Sequence, residues 1–226
     1  MARTSRTRRR PLEHEQIVDE AIRLADEHGL EAVSMRRLAA SLGVQAMSLY
    51  HHLPNKDALL EAMLDAIYER MAIPDATDDW REALRIRATA MRTAFLRHPW
   101  SLALVDSRTA PGPASLEHTD TLLGCLRTAG FSVAMTAHAS AVFDAFVYGF
   151  AVQERNLPSG DDADVVDVAA NVLAEMPEGA YPYLTEFAVE HVLKPGYDFG
   201  QEFAFGLELV LDGIERAAAA EGRAGR

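Results

Sequence analysis

Apolar positions recur along this chain every three to four residues, the period of an α-helix with one face buried. Leu12, Ile17, Ala21, Ile22, Leu24, Ala25 and Leu30 keep that spacing and predict an amphipathic helix over Leu12–His28, closed by Gly29. Ser34 is placed to cap a short helix through Leu42, Gly43 breaks the pattern, and a second short helix is predicted over Gln45–His52. Pro54 stops that helix, and Asn55 caps a longer one through Met71. Ile73–Asp79, with Pro74 among acidic and hydroxyl residues, reads as a linker and divides the chain into residues 1–72 and 73–226. Helices are then predicted over Trp80–Arg97, Leu116–Ala129, Val133–Glu154, Val165–Met176, Tyr183–Leu193 and Phe199–Ala220. Pro/Gly-bearing breaks fall at Thr109–Ser115 and Asn156–Asp162. No segment alternates apolar and polar residues with β-branched enrichment, so the expected fold class is all-α.

The two short helices carry the first functional signal. A pair packed near a right angle across a tight turn needs a small residue at the contact, a residue that tolerates positive φ at the turn, and apolar side chains to plug the angle. Ala39, Gly43, and Leu38, Leu42, Val44 and Leu49 fill those places in register. Spacing alone also fits an ordinary helical hairpin. In a helix-turn-helix, Leu49 turned inward leaves Gln45, Ala46, Ser48, Tyr50 and His51 free to face DNA. Glutamine reads adenine, serine and histidine bond base edges or phosphate, and Ala46 and Met47 offer apolar contact to a thymine methyl. Tyr50 and Lys56 suit phosphate contacts that set register, and Arg36 reaches either a base or the backbone. His51 and His52 are adjacent, hence about 100° apart around a helix, and make a poor metal pair.

Composition narrows the class. Of the 226 residues 49% are apolar and 25% charged, enough for a globular protein with a sizeable core. The net charge of -12 argues against a nucleic-acid binder until its distribution is read. Residues 1–56 hold nine Lys/Arg against seven Asp/Glu, and the remainder holds thirteen against twenty-seven. Five arginines lie within the first ten residues. This Arg3–Arg10 arm fits phosphate or minor-groove contact, and it fits a solvated tail as well. The single cysteine, Cys125, builds neither a disulfide framework nor a zinc site, which suits a cytoplasmic protein. No apolar h-region follows the basic N-terminus, and no apolar run reaches about 18 residues, so neither export nor a membrane span is expected.

Val33-Ser34-Met35-Arg36-Arg37-Leu38-Ala39, Leu42-Gly43-Val44 and Ser48 through Leu60 together resemble the DNA-binding domain of the TetR family of repressors, over residues 12–70. The resemblance implies DNA contacts from Arg36, Ala46, Met47, Ser48, Tyr50, His51, His52 and Lys56. In the tetracycline-repressor subgroup, glutamine, proline, threonine and tryptophan stand where this chain has Ala46, Met47, Ser48 and His51, so that operator sequence does not carry over. Further on, His98-Pro99-Trp100, the Pro111 loop, Ala129-Gly130-Phe131 and the Phe203–Ile214 segment resemble that subgroup's ligand-binding domain. Family analogy implies a homodimer formed through Val133–Glu154 and Phe199–Arg216. The strips Phe143, Phe146, Val147, Phe150 and Phe203, Leu207, Val210, Leu211, Ile214 suit either a two-fold interface or one internal core, and Gly149, Gly206 and Gly213 would allow close helix approach.

Family analogy also implies a small-molecule site among the Trp80–Arg97, Leu116–Ala129 and Val133–Glu154 helices and the Thr109–Ser115 loop. Its candidate residues are Arg87, Met91, Phe95, Trp100, His118, Leu122, His138, Ser140 and Asp144, apolar walls with a few polar groups. The helical spacing of Met91, Phe95 and Leu122 also fits plain core, as do His118 and His138 taken singly. The subgroup binds magnesium-tetracycline through a histidine whose place is held here by Val105, so no metal or cofactor is expected. The resemblance implies a repressor released from a double-stranded operator by a small hydrophobic inducer. A regulator governed only by a protein partner fits the same residues. An all-α enzyme needs a positioned nucleophile or acid/base set, and neither Cys125 nor the eight histidines supplies one.

Overall fold

The computed structural model describes residues 12–75, 79–107, 111–158, 164–177 and 179–224. The Arg3–Arg10 arm, and parts of the linker and of the two Pro/Gly-bearing breaks, lie outside the described residues. Among these residues there is no strand. The helices are α1 (His14–His28), α2 (Met35–Ser41), α3 (Ala46–Tyr50), α4 (Lys56–Glu69), α5 (Trp80–Arg97), α6 (Ser101–Ser107), α7 (Pro113–Thr128), α8 (Val133–Asn156), α9 (Val165–Glu175), α10 (Pro182–Phe187) and α11 (Gln201–Ala224).

Several expected boundaries shift for local reasons. Helix α3 is shorter than Gln45–His52: Gln45 is its extended N-cap, and His51 and His52 follow its last turn. Helix α6 was not expected, because seven residues between Pro99 and a loop give periodicity too little to register; Leu102 and Leu104 are nonetheless buried in it. Helix α7 begins at Pro113 rather than Leu116, since a proline at a helix start loses no intrahelical bond. The stretch expected as one helix to Leu193 is α10 followed by a wider turn over Ala188–Val192, in which Leu193 N–H donates to the Ala188 carbonyl.

The chain forms two compact units. Unit 1 joins the N-terminal residues through Ile73 to Thr93–Leu122; unit 2 joins Pro74–Arg92 to Leu123 onward. In unit 1, Ile17, Ala21, Leu38, Leu49, Leu59 and Met63 are fully enclosed and form the centre of one core. Each large side chain buried in this way contributes roughly 1.5–3 kcal/mol. Asp65 of α4 accepts from Ser115 N–H at 3.1 Å and so holds the start of α7.

In unit 2, α8 packs along α11. Phe146 stacks on Phe203 at 5.5 Å, and Phe150 meets Phe199 at 4.9 Å and Phe203 at 5.1 Å. Phe143, Val147, Leu207, Leu211 and Ile214 are buried with them, so the two apolar strips form an internal core. The outward faces carry other apolar residues: Val142 and Val152 on α8, Phe205 and Leu209 on α11. Within the chain, Gly206 allows close approach, since a Cβ there would lie 2.6 Å from the Phe146 ring, whereas Gly149 and Gly213 have no such neighbour within 4 Å. Helix α8 is long and apolar enough by composition to cross a membrane, which no apolar run had suggested; its Met135, Ala139, Phe143, Val147 and Phe150 are buried in the unit.

Candidate functional site

The turn between α2 and α3 is built from backbone bonds that only one residue type satisfies easily. Gly43 has φ +64°. Its N–H donates to the Ala40 carbonyl at 3.1 Å, and Val44 N–H donates to the Ala39 carbonyl at 2.9 Å. This paired closure satisfies the carbonyls at the end of α2 and turns the chain directly into α3. Ser34 Oγ accepts Arg37 N–H at 3.2 Å and fixes the start of α2. Asn55 Oδ1 accepts Ala58 N–H at 2.8 Å and fixes the start of α4. Each such cap is worth about 1 kcal/mol.

Leu38 and Leu49 are fully buried and Ala39 nearly so, and Leu42, Val44 and Ala46 pack partly buried against them. Burying Leu49 sets the phase of α3. Gln45, Met47, Ser48, Tyr50, His51 and His52 are left exposed, together with Arg36 and Lys56, while Ala46 is half-buried. Met47 is 67% exposed. Helix α1 braces the pair: Ser41 donates to Glu20, and Arg23 bonds Glu20 at 2.9 Å and Glu27 at 2.6 Å. The Arg23 hydrogen bond, with help from Ser41, holds the Glu20 carboxyl below its usual range against a desolvation penalty.

The expected small-molecule residues divide between the units. Phe95, Trp100, His118 and Leu122 belong to unit 1; Arg87, Met91, His138, Ser140 and Asp144 belong to unit 2. In unit 1, Trp100 Nε1 donates to Asp26 Oδ1 at 2.7 Å, and His98 Nδ1 lies 2.8 Å from the same oxygen. His118 Nε2 is 2.8 Å from the Tyr68 carbonyl and its ring meets Tyr68 edge-on. Trp100 and His118 therefore already have polar partners within their own unit. Phe95 and Leu122 are core.

In unit 2, Met91 is buried, and His138 is exposed rather than internal, because the helical phase of α8 is set by buried Met135, Ala139 and Phe143. Ser140 Oγ donates back to the Thr136 carbonyl at 2.9 Å. Arg87 is buried, and Asp144 is partly buried with its carboxyl pushed up by desolvation, which the Arg87 charge partly offsets. Thr136 was missed. It stands four residues before Ser140 and eight before Asp144, a polar stripe on an otherwise apolar helix that the spacing reveals.

The profile of the bacterial regulatory proteins, tetR family, matches residues 17–63, and that of the tetracyclin repressor-like C-terminal domain matches residues 73–218. The HTH-type transcriptional repressor DrrR1 of Streptomyces coeruleorubidus is 33% identical over 94% of this chain and 81% of its own length. The tetracycline repressor protein class C of Escherichia coli is 30% identical over 91% of each. Among solved structures, the TetR family protein ActR of Streptomyces coelicolor, in complex with actinorhodin, superposes with a TM-score of 0.78 at 27% identity, covering 92% of this chain and 97% of that one.

Proposed function

The chain belongs to the TetR family of bacterial regulatory proteins, and on that premise we propose that it is a homodimeric repressor released from its operator by a small molecule. It is a helix-turn-helix transcriptional regulator, and its relatives are regulators rather than enzymes. The observation that carries the DNA-reading part is the phase of α3: Leu49 is fully buried while Gln45, Met47, Ser48, Tyr50, His51 and His52 stay exposed beside Arg36 and Lys56. Gln45 and Ser48 read base edges, and Tyr50 and Lys56 hold phosphate.

One such motif covers one half-site, so a two-fold partner is required to grip an operator. Exposed Phe205 and Leu209 on α11 and Val142 on α8 supply an apolar face for it. The functional division is at residue 72, with DNA binding before it and ligand binding and dimerisation after it. The inducer site lies in unit 2 around Arg87, Met91, Ser140 and Asp144. Support for an inducer comes from the actinorhodin-bound relative. The protein acts in the cytoplasm, where the chromosome is.

By linkage, an inducer weakens DNA binding only as far as it prefers the released state. Reversing occupancy from 99:1 to 1:99 takes about 5.5 kcal/mol of preference. The test is selection of a binding site from random duplex DNA, followed by anisotropy titration. Tyr50→Ala and Lys56→Ala should each weaken binding about tenfold, the equivalent of about 1.4 kcal/mol, and Lys56→Ala should flatten the salt dependence. Retention of no duplex at low salt, or full affinity in both variants, overturns the reading.

A further inference from the structure

Three polar side chains of unit 2 hold buried atoms with no hydrogen-bond partner: Nε and Nη1 of Arg87, Oγ1 of Thr136 and Oδ1 of Asp144. Arg87 is 6% exposed and Thr136 4%. A guanidinium buried without a carboxylate is costly, and a fold retains one only where something repays it. The other arginines of α5 in this unit show that partners are within reach of such side chains. Arg81 bonds Glu208, Asp212 and Glu215, Arg85 bonds Glu208, and Arg92 bonds Glu154.

Asp144 does not fill that role for Arg87. It is close enough to feel the arginine's charge, yet no ion pair joins the two, and desolvation pushes its carboxyl toward the neutral form. The site therefore holds one uncompensated cation with N–H donors to spare, a hydroxyl and a carboxyl. The neighbouring positions on the same helices are apolar and buried: Leu84 and Met91 on α5, Ala139 and Phe143 on α8.

We propose that Arg87, Thr136 and Asp144 are the specificity-determining end of the inducer site, and that the inducer is an apolar molecule carrying an acidic oxygen group. Arg87 donates to that group, because a guanidinium fork matches an anionic oxygen centre better than any other side chain does. Thr136 and Asp144 bond the polar atoms beside it. The inference rests on the reading that unit 2 takes a small molecule.

The test uses the full-length protein and two fluorescent probes of one ring skeleton, 8-anilinonaphthalene-1-sulfonate and the neutral N-phenyl-1-naphthylamine. The anionic probe should bind at least about tenfold more tightly, and Arg87→Met should abolish that margin. Without any ligand, Arg87→Met/Asp144→Asn should melt about 2–4 °C higher than the parent, since an unrepaid burial has been removed. Equal binding of both probes by the parent protein, a margin that survives Arg87→Met, or a lower melting point overturns the assignment and leaves the small-molecule reading standing. Failure of both probes to bind the parent overturns the small-molecule reading together with it. The parent comparison needs no variant to fold, and Thr136→Val, nearly isosteric, should reduce the margin alone.

Discussion

His98, Ser101 and His118 in unit 1 are about as buried as Arg87 and Thr136 in unit 2. The first three are all bonded within their own unit: His98 to Asp26, Ser101 to the His98 carbonyl at 2.7 Å, and His118 to the Tyr68 carbonyl. The last two leave buried polar atoms unpaired. Burial of polar groups thus has two meanings in one chain. In unit 1 it joins segments far apart in sequence, α1 to the α5–α6 turn and α4 to α7, and its energy is spent on position. In unit 2 it costs stability that the protein alone does not recover, which is the expected signature of a site awaiting a partner.

The largest effect separating the units is expected at Leu49. Its side chain is fully buried and sets the phase of α3. Leu49→Ala removes its packing and leaves a cavity, at a cost of about 2–5 kcal/mol. Urea unfolding should show that loss, and operator affinity should fall even under conditions where the variant remains folded. Retained affinity would mean that α3 holds its orientation without the plug.

A smaller effect separates the two kinds of buried polar group. Asp26→Ala leaves the Trp100 indole N–H and the His98 ring unpaired inside unit 1, and should cost about 1–3 kcal/mol. Thr136→Val in unit 2 removes a hydroxyl oxygen that has no partner, so it should be neutral or stabilising. Urea unfolding of both variants checks the contrast; equal losses would erase it.

These two positions also mark how far the sequence could be read. The helix-turn-helix was legible down to the plug residues and the turn glycine, because every constraint on it lies within about twenty neighbouring residues and follows local helix chemistry. The Asp26–Trp100 bond was not, since it joins residues 74 apart and nothing in either neighbourhood marks its partner. The strips on α8 and α11 were legible as apolar, but whether they faced inward or toward a second copy was a matter of helix pairing, which periodicity does not encode. The outward Val142, Phe205 and Leu209 lie beside residues of the buried strips, so their apolar character did not show which face was outward. Arg87 and Asp144 were candidates by family analogy, Arg87 being one of five arginines on α5; that they would be left unpaired is a property of the packed unit alone.

The smallest effect concerns charges in unit 2 that are fully partnered, and it sharpens the contrast with Arg87 from the other side. Glu208 receives two bonds from Arg85, at 2.6 and 2.8 Å, and one from Arg81 at 3.0 Å. The Arg85 bond in particular brings its carboxyl down from the usual 4.5 to about 2. A carboxylate depressed in the folded state binds fewer protons than it does unfolded between those values. Its stabilisation is therefore complete above pH 4.5 and is lost as pH falls toward 2. Glu208 is 46% exposed, so solvent screening holds the contribution to at most about 1 kcal/mol. Glu208→Gln should be less stable than the parent by up to that amount at pH 7, with the gap closing as pH falls through 4 to 2 and shrinking in 1 M salt. A gap that persists at pH 2 would assign the loss to packing rather than charge. Arg85 would then resemble Arg87 more closely than its bonds imply.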